Sequence, residues 1–174
     1  GVRAGQENSI LMLPTTDPNY NATSNYWSIK PASILPKITD NLVLDARTQP
    51  GYSNKPLVEL DGTNAGKNNA GLILSSGSNG SIIQGLIINN FNYSGIYLEN
   101  ISDVTILSNY IGTTPDGSSA ASNHFHGIHM DGASNVKIGD GTITGRNVIS
   151  GNIDHGISTA NNASNITILG NYIG

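Results

Sequence analysis

The chain contains no cysteine, which excludes a disulfide framework and thiolate metal sites. Charge is scarce as well: 11% of residues are Asp, Glu, Lys or Arg, where about a quarter is usual. A net charge of −4 offers neither a basic stripe for nucleic acid nor a polybasic patch for anionic lipid, so neither is an expected partner. No apolar run approaches the roughly 18 residues of a membrane span, and the opening GVRAGQENSI lacks the form of a signal peptide. Nor does any segment carry apolar residues at helical spacing over two turns, so no helix is expected within the chain. So polar a composition would suit disorder, but 22 isoleucines, many in period-two register, argue for a packed core.

What the chain has instead is a repeat. HGIHMDGASNVKI, from His126 to Ile138, is echoed by GIYLENISDVTI from Gly95, by GISTANNASNITI from Gly156 and more loosely by GLILSSGSNGSI from Gly71. The anchor glycines Gly71, Gly95, Gly127 and Gly156 are 24, 32 and 29 residues apart. An irregular period disfavours helical-hairpin repeats and favours short strands joined by loops of free length. Within each copy the period is two: Ile96 and Leu98, or Ile128 and Met130, point inward and leave Tyr97 and His129 outside. A second strand follows the S-N turn (Val104 and Ile106, Val136 and Ile138, Ile166 and Ile168), and a third reads NYIG at Asn109 and Asn171. Three short strands per coil with Gly, Asn, Ser and Asp at the corners predict an all-β parallel β-helix, a solenoid whose equivalent residues stack in ladders about 4.8 Å apart. The boundaries read from the sequence are residues 1–40, irregular first coils with a long loop, and 41–174, a β-helix truncated at its C-terminal end. Beginning without Met and ending on a repeat phrase, the chain is expected to be a piece of a longer one, whose further coils would be partners.

TDNLVLDARTQPGYSNKPLVELDG, SNYIGTTPDGSSA, ASNVKIGDG, GRNVISGN and GNYIG together resemble the right-handed parallel β-helix repeat proteins of large bacterial secreted or cell-surface polypeptides. The resemblance covers residues 40–174. It implies a right-handed parallel β-helix and an extracellular or cell-surface address. It implies no single activity, because that fold hosts lyases, hydrolases, epimerases, adhesins and structural stalks.

Two outer-face patches are the candidate sites. Stacking the repeats puts Tyr97 on His129 and Glu99 on Asp131, a candidate ligand-binding column. His126 falls over His155, with Asp154 and His124 in the adjoining loops. As an enzyme, the chain would use His126, His129, Asp131, Asp154 and His155 as acid and base on an acidic or neutral glycan, in the manner of a polysaccharide lyase, glycoside hydrolase or epimerase. The same imidazoles and carboxylates could hold a divalent metal, although no cofactor or metal is expected. No lysine or arginine stacks beside these carboxylates in the alignment, since Lys137 is on the next strand and Arg146 in a loop. That lack of a cation favours a non-enzymatic reading: a structural spacer, or an adhesive module contacting a glycan or other cell-surface ligand. Asp45, Arg47, Glu59 and Asp61 read as staples of the first coils, and Trp27 as buried at the end of the stack instead of joining Tyr20 and Tyr26 in a sugar platform.

Overall fold

A computed structural model describes residues 7–174; of the segment 1–40, residues 1–6 lie outside the described part. The chain is all-β with three parallel sheets. The first sheet takes Glu7–Ile10, Leu42–Asp45, Ile82–Gln84, Thr105–Leu107, Lys137–Ile138 and Thr167–Ile168 in order. The second runs through Tyr26–Ile29, Val58–Asp61, Leu86–Asn89, Tyr110–Ile111, Val148–Ile149 and Tyr172–Ile173, with a two-residue antiparallel strand, Tyr20–Asn21, hairpinned onto its first member. The third holds Leu72–Leu74, Ile96–Glu99, Ile128–Asp131 and Ile157–Ala160. The chain visits the sheets in fixed rotation, and each strand pairs with its equivalent one round later. This arrangement is compatible with a β-solenoid. The rotation begins well before Gly71, since Glu7–Ile10 and Tyr26–Ile29 already occupy the first two sheets and Ile38 bridges Leu74 in the third.

Period-two patterning explains the interior. Ile83, Ile106 and Ile138 from the first sheet, Ile88, Ile111 and Ile149 from the second, and Leu74, Leu98 and Met130 from the third join one fully buried cluster. Each column is apolar because its neighbour above and below is the same ladder position, so a single aliphatic choice is reinforced at every round.

The surplus of asparagine has a structural use. Asn109 and Asn147, both fully buried, sit between the first and second sheets. Asn147 Oδ1 accepts from the Asn109 backbone N–H at 2.9 Å, and its amide donates to Ile106 O at 2.9 Å and Asn171 Oδ1 at 2.8 Å. Backbone groups that turn the corner are thereby paired in a dry interior. At another corner Asp103, Asn135 and Asn165 take left-handed backbone, φ 63°, 53° and 53°, and link by amide bonds of 3.2 and 3.1 Å. The expectation of no helix needs one correction: Ala46–Thr48 and Gly62–Asn64 form single 3-10 turns. Asp45 and Asp61 open them, each accepting a backbone N–H two residues on at 3.0 Å. The periodicity that forecasts helices misses them because one turn has no second turn to repeat.

Candidate functional site

The third sheet builds the first patch. Ile128–Asp131 pairs in parallel with Ile96–Glu99, placing His129 opposite Tyr97 and Asp131 opposite Glu99, as the repeat alignment expects. Ile96, Leu98, Ile128 and Met130 are fully buried, so alternation leaves the other four side chains half-buried on the outer face. The rings of Tyr97 and His129 stack 5.2 Å apart at 22°. The Tyr97 hydroxyl donates to Asp131 Oδ2 at 3.0 Å, and the Asn161 amide donates to Asp131 Oδ1 at 2.5 Å. The two donors, Asn161 first, hold the Asp131 carboxyl below its ordinary value. Burial and the facing carboxylate push the Tyr97 phenol up to about 12. Burial pushes the His129 imidazole down, against the pull of Asp131, and its Nδ1 is enclosed without a hydrogen-bond partner among the described residues.

A cation does reach this column, contrary to the sequence alignment. Lys37 Nζ lies 2.5 Å from Glu99 Oε2. It arrives because the neighbouring Ile38 bridges Leu74, next to the Leu98 ladder. Comparing repeats does not find it, since Lys37 lies outside every repeat copy. Of the two cationic groups considered from the sequence, Arg146 is engaged elsewhere, its guanidinium lying 4.3 Å over the Tyr172 ring.

The second patch is made by corner loops that end on the anchor glycines. His124 N–H donates to Phe91 O at 2.8 Å, Phe125 N–H to Tyr93 O at 3.1 Å, and Asp154 N–H to Phe125 O at 3.1 Å. The loops therefore stack like strands. Tyr93 lies on Phe125 (4.9 Å, 24°), Phe125 packs against His126 (3.8 Å), and His126 meets His155 edge-on (5.2 Å, 87°). His126 also lies 4.9 Å from His129, which joins the two patches. His126 is buried, with Nδ1 3.5 Å from Asp154 Oδ2, while Asp154 Oδ1 contacts His155 Nδ1. Burial, then the neighbouring His129, pushes the His126 imidazole down in spite of Asp154. His124 does not join the set and lines a recess with Thr63, Lys67 and Asn92. Tyr93 and Phe125 were not singled out from the sequence, yet the signal was there: each stands two residues before an anchor glycine. Among the described residues, His126, Asp154 and His155 are the group able to hold a metal, with one ligand atom of each lying within 4.8 Å of the others.

The first-round acids act as staples. Asp45 accepts from Arg47 Nε at 3.0 Å and Gln84 Nε2 at 2.7 Å. Asp61 accepts from Thr63 Oγ1 at 2.5 Å, Asn90 Nδ2 at 3.0 Å and Lys30 Nζ at 3.0 Å. Burial alone would raise both carboxyls, but these donors outweigh it and hold them below the ordinary value. Glu59 is buried under an amide bond of 2.8 Å from Asn89. Trp27 is 2% exposed, with its indole N–H donating to Pro14 O at 3.0 Å, so it packs and presents no platform.

Against known proteins, the chain matches no protein-family model, no curated protein and no solved structure. Among the described residues no helix is long and apolar enough to cross a membrane.

Proposed function

We propose that this chain is a non-enzymatic segment of right-handed parallel β-helix from a bacterial surface or secreted protein, acting as a rigid spacer with a weak glycan-contacting face. The observation that carries the reading is how the Tyr97–His129 column uses its polar groups on itself. Tyr97 and Asn161 both donate to Asp131, and Lys37 pairs with Glu99. A lyase, hydrolase or epimerase needs a base, and either a protonated acid or a free cation facing the substrate. Here both shifted imidazoles favour the neutral form, Asp131 favours the ionised one, and the cation is paired. One face of the Tyr97 ring lies against His129 and its ladder neighbour on the other side is Ile73, which leaves its edge for a sugar and favours weak contact.

The extracellular or cell-surface address rests on the repeat phrases. Further coils of a parent chain would stack on Ile157–Ala160, Thr167–Ile168 and Tyr172–Ile173, which have a strand neighbour on one side only and leave Ile168 and Ile173 about half exposed. Titrating the labelled protein with neutral and uronic-acid oligosaccharides, followed by NMR, tests the glycan contact. Small shifts confined to Tyr93, Tyr97, Phe125 and His129 are expected, with millimolar-range affinity, about −4 kcal/mol. Shifts centred instead on the cleft of Tyr20, Tyr26 and Glu59, or none anywhere, would remove the glycan-contacting part.

A further inference from the structure

The corner formed by His126, Asp154 and His155 contains an unresolved conflict over one nitrogen. His126 Nδ1 receives the backbone N–H of His155 at 3.4 Å, which requires a lone pair there, and faces Asp154 Oδ2 at 3.5 Å, which would favour a proton there. One hydrogen position cannot serve both. A cation lying between the imidazole and the carboxylate takes a lone pair from each and replaces the long 3.4 Å contact from the His155 N–H. His155 brings a third ligand atom, its Nδ1, to the same carboxylate.

We propose that His126 Nδ1, an Asp154 carboxylate oxygen and His155 Nδ1 form a binding site for a first-row divalent cation of the Zn²⁺ type. One ligand atom from each of the three residues lies within 4.8 Å of the others, and His126 Nδ1 is 3.5 Å from Asp154 Oδ2. Zn–N and Zn–O bonds of about 2.0–2.2 Å at a tetrahedral angle place two ligands roughly 3.3–3.6 Å apart, so the pair is already at coordination spacing. Closing the set asks only for movement of His155, whose side chain is 66% exposed.

The fold holds the rest in place. His126 and His155 each precede a ladder glycine, and Gly127 N–H donates to His155 O at 2.9 Å, which fixes the histidines one above the other. Asp154 is held by its own N–H bond to Phe125 O. Phe125 at 3.8 Å and His129 at 4.9 Å wall the buried imidazole, a partly dry surrounding that strengthens coordination. Two imidazoles with one carboxylate suit Zn²⁺ and its neighbours and are poor for Mg²⁺ or Ca²⁺, which prefer all-oxygen sets. With three protein ligands the ion keeps a position open for water or for an oxygen of a bound molecule. The inference is independent of glycan contact, because none of the three ligands belongs to the Tyr97 column.

Isothermal titration of the 174-residue chain with Zn²⁺ alone tests it, paired with Co²⁺ addition followed by visible absorption. One Zn²⁺ per chain is expected, with a Co²⁺ spectrum of low coordination number and no heat from Mg²⁺. His155→Ala and Asp154→Ala, both at exposed positions, should each weaken Zn²⁺ by at least about tenfold. His124→Ala, in the loop that carries His126 but outside the set, should leave affinity unchanged. Circular dichroism would verify that the variants fold. Absence of Zn²⁺ binding, equal binding by folded His155→Ala and Asp154→Ala, or competition by Mg²⁺ would overturn the proposal.

Discussion

A Cβ added to Gly127 would lie 2.6 Å from the carbonyl oxygen of Gly156, the ladder glycine of the next round. The same contact recurs upward: a Cβ on Gly71 would meet Gly95 O at 2.5 Å, and one on Gly95 would meet Gly127 O at 2.9 Å. These glycines are thus fixed by close backbone approach at the entry to the third sheet, and the repeat that first organises the sequence is the trace of that contact. Because the obstacle is backbone, and Ile149 lies at 2.7 Å on another side, Gly127→Ala should destabilise by about 2 kcal/mol or more. Chemical denaturation measures it; an unchanged midpoint would mean that the stack relaxes freely at this corner.

Ile128 and His129 are adjacent and face opposite ways. Ile128→Asp places a carboxylate among aliphatic ladder neighbours and should cost more than about 4 kcal/mol or prevent folding. His129→Ala should stay within about 1 kcal/mol, since its ring is half-buried and its Nδ1 has no partner to lose. Thermal melts of the two variants compare them, and similar losses would contradict the register.

The buried asparagine ladder makes a separate prediction. Asn147→Ala removes the acceptor of Asn109 N–H and the donor to Ile106 O in one step. The Asn109 N–H left unpaired in the interior should cost about 1–3 kcal/mol, while Ile106 O keeps the N–H of Gly139 at 2.9 Å. Asn19→Ala, at an exposed loop position, should lie within about 0.5 kcal/mol of the parent. Equilibrium unfolding of both variants checks the difference.

Ladder pairings were legible wherever the repeat copies align. Tyr97 on His129, and Asp131 on Glu99, follow from counting in twos from the anchor glycines, and the structure places them so. Lys37 was not legible, because it reaches Glu99 across 62 residues from a segment with no repeat copy. Asn161 was hidden for a related reason: it follows the Ile157–Ala160 strand, and its hydrogen bond runs to the previous round and not along its own ladder. The caps at Asp45 and Asp61 depend on single turns too short to leave a period. Lys37 and Asn161 make contacts that no other copy makes, and self-similarity carries only what copies share.

Acid should act through Asp61. Its carboxyl titrates below the ordinary 3.8 in the folded chain, so the unfolded chain takes up the proton first as pH falls. The stabilisation is therefore complete above the ordinary value and is lost as pH drops through the folded one. Asp61→Asn should lower the melting temperature near neutrality and flatten its decline on acidification. Melts between about pH 7 and about pH 2.5 read both effects; a decline as steep as the parent's would show that Asp61 contributes little.

The most direct test of the account is turnover. The protein and its His129→Ala and His126→Gln variants would be incubated with a panel of uronic-acid and neutral glycans while unsaturated and reducing ends are followed. No product is predicted from any of the three, because the column's two carboxylates and its cation are already paired and its imidazoles favour the neutral form. Product formed by the parent chain and lost in either folded variant would contradict it and place the chain among glycan-cleaving enzymes.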